Sequence, residues 1–169
     1  MRRRIIKKEK PEGASKSFQS TEIYLKPDAR YQSKLATKIV NKLMWGGKKS
    51  TAQRIFYDAV DMVSKKVEVD PVDIFTKAID NVKPHLEVRS KRVGGATYQV
   101  PMEVNKRRQQ SLAIRWLVDA ARAKRGKPMA KRLADELFDA YNNQGAAVTK
   151  KENVHKMAEA NSAYSHFAW

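Results

Sequence analysis

Apolar positions along the chain follow two different spacings. From residue 33 to about residue 84, and again after about residue 105, they recur every three or four residues, as on the buried face of an amphipathic helix. Between about residues 85 and 104 they alternate with polar positions, as in a strand. These patterns predict a mainly α fold of about six helices, with a two-stranded antiparallel β-ribbon between the third and fourth helices.

Residues that favour helix ends set the boundaries of the first three helices. The first ends before Gly46 and Gly47, since glycine readily adopts the left-handed conformation at a helix C-terminus. Ser50 or Thr51 is predicted to cap the second helix. Asp70, followed by a proline suited to the first helical position, is predicted to cap the third.

Gly94 and Gly95 predict a two-residue turn in the middle of the alternating segment. A turn at this position pairs residues across the ribbon as Val93 with Ala96, Lys91 with Tyr98, Arg89 with Val100 and Arg92 with Thr97. Neither face near the tip is apolar, and an isolated hairpin is only marginally stable in water. The ribbon is therefore expected to project from the helical body and to be braced by a partner.

The second half of the chain has three predicted helices. The fourth runs from about residue 106 to 125 and ends at Gly126, and the fifth starts at Pro128. Thr149 and Glu152 have the spacing of a capping box for the sixth.

No long polar stretch divides the chain. We therefore expect one domain over residues 1–169, with a basic N-terminal arm at 1–32 and a helical body at 33–169 that carries the ribbon at about 85–104.

The charge of the chain narrows the range of partners. Lysine and arginine total 35 against 18 aspartates and glutamates, a formal charge of +17. A polyanion such as a nucleic-acid backbone would neutralise this excess and release its own counterions. The chain has neither a lipidation signal nor a basic amphipathic helix, so we expect no membrane partner. The absence of cysteine excludes disulfides and thiolate metal sites.

Candidate catalytic groups have simpler explanations. Asp135, Glu136 and Asp139 could form an acid–base pair, but Lys131 and Arg132 each precede an acidic residue by four positions. This spacing favours a solvated, salt-bridged helix face. The three histidines do not form a metal-binding cluster, and no nucleophile lies beside a base. We expect no enzymatic activity, metal or cofactor.

The remaining cluster of functional residues is basic, with one aromatic side chain. Cations at the start of the fourth helix oppose its dipole, a cost that RNA phosphate would offset. The candidate RNA-binding residues are Arg2, Arg3, Arg4, Lys7, Lys8, Lys48, Lys49, Arg89, Lys91, Arg92, Tyr98, Lys106, Arg107 and Arg108.

Three segments together resemble one protein family. Residues 43–57 are LMWGGKKSTAQRIFY, residues 82–104 are VKPHLEVRSKRVGGATYQVPMEV, and residues 154–162 are VHKMAEANS. They are similar to the bacterial-type family of small-subunit ribosomal protein seven, and the resemblance spans about residues 27–169.

The resemblance implies a helical domain with an extended β-ribbon. It also implies direct binding to the 3′ major domain of small-subunit ribosomal RNA (rRNA), early nucleation of head assembly, and a position near the exit-site transfer RNA (tRNA) and the messenger RNA (mRNA) path. A neighbouring small-subunit protein, protein eleven, is implied beside the C-terminal region. Lys48, Lys49, Arg89, Lys91 and Arg92 lie in the matching motifs.

Physical reasoning alone leaves two alternatives. An architectural DNA-binding protein could also carry a basic β-ribbon, although such ribbons usually belong to dimers. An RNA-modifying enzyme would need a catalytic or cofactor site, for which the sequence offers no candidate.

Overall fold

The computed structural model describes residues 24–168, so the arm residues Arg2, Arg3, Arg4, Lys7 and Lys8 lie outside the described residues. The elements in chain order are α1 (Lys34–Leu43), α2 (Lys49–Val67), α3 (Pro71–Val82), β1 (Leu86–Val93), β2 (Ala96–Glu103), α4 (Lys106–Ala123), α5 (Met129–Tyr141), α6 (Ala146–Ala160) and a 3₁₀ helix (Ser162–Phe167). The predicted fold class is confirmed. None of these helices is long and apolar enough to cross a membrane.

The six α-helices share one apolar core. Its largest fully buried apolar side chains include Phe56, Phe75, Ile39, Leu117 and Leu133, which come from α1 to α5. Removing such side chains from water is the main favourable term in folding. The six helices therefore form one well-packed body, to which the ribbon is attached between α3 and α4.

Two boundary predictions that depend on local geometry are confirmed. The Asp70 carboxylate accepts a hydrogen bond from the backbone N–H of Val72 (3.4 Å), and α3 begins at Pro71. The hairpin reverses at Gly94 and Gly95, and its register contains every predicted cross-strand pair. A two-residue turn and an N-cap each involve neighbouring residues, so the sequence alone can specify them.

Two predicted caps are wrong. Lys48, and not Ser50 or Thr51, is the N-cap of α2, because a tight turn bonds the Lys49 N–H to the Gly47 carbonyl (2.9 Å) and starts the helix earlier. The sixth helix also starts early, at Ala146. Thr149 is therefore inside its first turn, where its hydroxyl donates to the Gly145 carbonyl (3.1 Å).

A buried carboxylate takes the place of the missing cap on α6. Glu136 is fully buried, and its Oε1 accepts a hydrogen bond from the backbone N–H of Ala147 (2.9 Å). Its Oε2 lies 2.8 Å from Lys124 Nζ. Burial alone would lower the pKa of Lys124, but its interactions with the carboxylates of Glu136 and Asp139 raise that pKa above its ordinary value. The carboxylate therefore satisfies a helix N-terminus and is itself neutralised.

The predicted solvated face of α5 is thus wrong at Glu136. The two expected pairs along α5 are not formed: Asp135 pairs with Lys127 (2.9 Å), and Arg132 donates to the carbonyls of Arg122 and Lys124. Lys124 and Lys127, which follow α4, lie close to the acidic side chains of α5 and pair with them instead.

Gly145 is required beside this carboxylate. Its φ is +93°, and an added Cβ would lie 2.8 Å from the Cβ of Asp139 and 3.2 Å from Oε1 of Glu136. Both the backbone conformation and the contact exclude a side chain at this position.

We predict that Glu136→Ala lowers the free energy of unfolding by about 3 kcal/mol, because it leaves the Ala147 N–H without its acceptor and weakens the partnering of Lys124. Urea unfolding of the free protein measures this loss. Asp135→Ala is the matched control, since it removes a partly exposed pair and should cost less than about 1 kcal/mol. Equal losses in the two variants would contradict the capping role of Glu136.

Candidate nucleic-acid interface

One carboxylate joins two of the predicted basic clusters. Glu87 on β1 is only 8% exposed, and its Oε1 accepts from Nε of Arg89 (2.7 Å). Its Oε2 accepts from Nε of Arg108 at the start of α4 (2.6 Å). The two arginine side chains remain 47% and 48% exposed. One anion thus holds two cations side by side and leaves part of each guanidinium open to a ligand.

Sequence reasoning missed Glu87. A single acidic residue within a basic strand, two positions before an arginine, was the available signal. Its second partner lies 21 residues away on another element and could be found only in the folded structure.

Two interactions within the protein stabilise the positively charged start of α4. Asn105 caps the helix, and its Oδ1 accepts from the backbone N–H of Arg108 (3.0 Å). Lys106 and Arg107 are exposed in the first turn. Because Glu87 pairs with Arg108, part of the unfavourable interaction with the helix dipole is offset within the protein. The triplet therefore does not require RNA to be tolerated, although it remains a strongly positive surface.

Lys48 and Lys49 form a separate exposed pair at the start of α2. Gly46 and Gly47, with φ of +59° and +74°, make the turn that carries the chain from α1 into this position. The side chain of the N-cap residue Lys48 makes no capping hydrogen bond to α2. The partial positive charge of the helix N-terminus therefore adds to that of the lysines, an arrangement that suits a phosphate.

The outer half of the ribbon lies against the C-terminal 3₁₀ helix. The half-buried ring of Tyr98 is 5.2 Å, centroid to centroid, from the rings of both Tyr164 and Phe167. Lys91 Nζ donates to the Phe167 carbonyl (2.9 Å). The sequence predicts that a partner braces the ribbon, and the structure adds that the chain's own C-terminal segment contacts it.

Arg92 is exposed. Its cross-strand neighbour is Thr97, on the face opposite the Lys91–Tyr98 pair. The assignment of Tyr98 to RNA binding stays a prediction, and other rings of the chain cover part of its surface.

The base of the ribbon is tied to α6 by a histidine. The backbone N–H of His85 donates to Nε2 of His155 (3.0 Å), and the Val104 N–H donates to the His85 carbonyl (2.9 Å). Accepting a hydrogen bond at Nε2 requires that nitrogen to be unprotonated. Burial, with the nearby charges of His85 and Lys151, lowers the pKa of His155.

Within residues 24–168, no three His, Asp or Glu side chains are grouped so that they could hold a metal ion. The structure instead brings Arg89 and Arg108 together, and places Lys48 and Lys49 as a separate pair at the start of α2. A helical body that presents basic surfaces of this kind is typical of a structural nucleic-acid-binding protein.

The comparisons with known proteins identify the family. The family model described as ribosomal protein S7p/S5e matches residues 15–162, and the chain belongs to this family. The small ribosomal subunit protein uS7 of Fervidobacterium nodosum is 59% identical over 143 residues, covering 85% of this chain and 92% of the relative. That of Nitratiruptor sp. is 62% identical over 144 residues, with the same coverage of both chains. The uS7 of Rhodopirellula baltica is 58% identical over 144 residues, covering 84% of this chain and 92% of the relative.

Family membership confirms the resemblance found in the sequence. The protein is a structural, non-enzymatic component of the small subunit of the cytoplasmic ribosome.

We predict that acid weakens the attachment of the ribbon base to α6. Since the folded pKa of His155 lies below the unfolded value of about 6.5, its contribution to stability is complete above that pH and is lost as pH falls through the folded pKa. His155→Gln can still accept from the His85 N–H through its amide oxygen but does not titrate. Melting temperatures at pH 7.5 and 5.0 should therefore differ less in this variant than in the wild type. Identical pH dependence in both proteins would contradict the assignment.

Proposed function

We propose that this protein binds the 3′ major domain of small-subunit rRNA directly and nucleates assembly of the subunit head, and that it lies near the exit-site tRNA and the mRNA path. The observation that best supports this proposal is the Glu87 contact, which holds Arg89 of the ribbon beside Arg108 of α4. Paired guanidinium groups with free edges suit bidentate contacts to phosphate.

The distribution of charge supports an extended polyanionic partner. The chain carries a formal charge of +17. In residues 24–168 the buried charged side chains are the carboxylates Asp28, Glu87 and Glu136, so the basic side chains remain outside the core. Cations distributed in this way act by neutralising several phosphates at once, which makes affinity strongly dependent on salt.

The proposed contacts differ in kind. Arg89, Arg92, Lys106, Arg107 and Arg108 are exposed and suit phosphate contacts along the ribbon and the start of α4. Lys91 and Tyr98 are half-buried, so we assign them to the edge of the surface. The arm residues Arg2, Arg3, Arg4, Lys7 and Lys8 are proposed as further phosphate contacts, from their charge alone.

The C-terminal region is the proposed contact for small-subunit protein eleven. Met157 on α6 is 55% exposed and Tyr164 on the 3₁₀ helix is 37% exposed, so this end of the chain presents apolar surface. Aromatic residues and methionine are enriched at protein interfaces. The apolar core shared by the six α-helices also supports the proposal that the chain is one domain.

We predict that Lys48→Ala combined with Lys49→Ala weakens binding to a transcript of the 3′ major domain while leaving the melting temperature nearly unchanged. Wild-type affinity, measured as a dissociation constant over a series of salt concentrations, should fall with a log–log slope of roughly −6 to −7 if about eight phosphates are neutralised. Losing two contacts should make the slope shallower by about 1.5.

The matched control is Lys65→Ala with Lys66→Ala, an exposed pair at the other end of α2 that removes the same charge. This control should retain the wild-type slope more closely. A duplex DNA of equal length serves as competitor, and binding that prefers DNA would contradict the proposal. Equal effects of the two lysine pairs would show that net charge alone governs binding.

A further inference from the structure

A groove of about 490 Å³ lies beside Lys48, with the end of α1 and the start of α2 on one side and the end of α4 and the start of α5 on the other. Its size falls within the range of roughly 300–1,000 Å³ found for sites that hold small organic groups. Apolar side chains and basic side chains line it together, including Leu43, Ile55, Met129, Lys48, Arg122 and Arg132. No acidic residue is among its described lining residues.

Trp45 lies at this groove with most of its ring in solvent. It is 84% exposed, more than any other large hydrophobic residue in the described part of the chain. Isolated apolar residues on a surface need no explanation. An indole beside an apolar groove with a basic rim is a different case. Its aromatic face can stack on a base, and the basic side chains can bind the phosphates on either side of that base.

The indole is held in position. The guanidinium carbon of Arg122 lies 5.5 Å from the centre of the Trp45 ring, within the range of a cation–π interaction. Arg122 is itself anchored, since its Nη2 donates to the carbonyls of Lys42 (3.3 Å) and Leu43 (3.4 Å) at the end of α1. An anchored arginine against the ring, together with 84% exposure, leaves aromatic surface free for a ligand.

We propose that an unpaired base of the bound RNA stacks on Trp45 at this groove, with its flanking phosphates against Lys48 and Lys49. The proposal rests on the RNA binding proposed above and assigns the kind of RNA feature recognised at this part of the surface. Unstacked bases are held by aromatic rings and arginine planes, and every base offers a π-face. A groove whose charged lining residues are all basic favours a nucleotide over an apolar protein segment.

Replacing Trp45 tests the stacking without changing the charge. Loss of base–aromatic stacking should lower the affinity of Trp45→Ala for the 3′ major-domain transcript about tenfold, which corresponds to about 1.4 kcal/mol. Trp45→Phe retains an aromatic face and should stay within about threefold of the wild type. The salt slope should be unchanged in both variants, because no phosphate contact is lost. The exposed position of Trp45 means that neither variant should alter the melting temperature appreciably.

Fluorescence provides an independent readout at the same residue. The chain has three tryptophans, so Trp116→Phe with Trp169→Phe leaves Trp45 as the single reporter. Stacking of a base on Trp45 should quench its emission when the transcript is added, and a fully paired RNA duplex of equal length should quench it much less.

The outcomes separate this inference from the proposed function. Unchanged affinity of Trp45→Ala, alongside weakened binding of the Lys48/Lys49 double variant, would overturn base stacking and leave phosphate binding intact. A wild-type protein without salt-dependent RNA affinity would overturn both. Quenching that occurs only after other small-subunit proteins are added would assign the groove to a protein partner and would also overturn the inference.

Discussion

Repulsion among 17 excess positive charges opposes every compact state of this chain, and the placement of its carboxylates counters that repulsion. In the described part, the buried charged side chains are Asp28, Glu87 and Glu136. Each joins separate segments: Asp28 accepts from the Tyr57 hydroxyl (2.9 Å), Glu87 joins the ribbon to α4, and Glu136 joins α5 to the start of α6. The inside of the body is therefore acidic where it is charged, and the basic side chains are displayed outside.

This arrangement gives the basic surface a defined geometry before any ligand binds. A flexible cation must lose side-chain entropy when it meets a phosphate, whereas Arg89 and Arg108 are already held by Glu87. The contacts of the ribbon with α6 and the 3₁₀ helix likewise hold the whole ribbon in place before a ligand binds. The ribbon thus carries its charges on a supported scaffold, which a two-stranded hairpin alone would not provide.

Some features set by neighbouring residues were predictable from the sequence, although the caps of α2 and α6 were not, and features set by distant contacts were not predictable. The ribbon register follows from Gly94 and Gly95, and the α3 cap follows from Asp70. By contrast, the role of Glu136 depends on Lys124 and Ala147 on other elements, and its spacing from Arg132 indicated a solvated pair instead. The candidate basic residues followed from charge and motif, but the carboxylate that groups two of them required the folded chain.

The most direct test of whether Glu87 makes Arg89 and Arg108 one binding unit is a double-mutant cycle on affinity for the 3′ major-domain transcript. Arg89→Ala, Arg108→Ala and the double variant are compared at one salt concentration, with and without Glu87→Gln. We predict a coupling energy above about 0.5 kcal/mol when Glu87 is present, and near zero in the Glu87→Gln background. Additive effects of the two arginines in the wild-type background would contradict the claim that the carboxylate organises the interface.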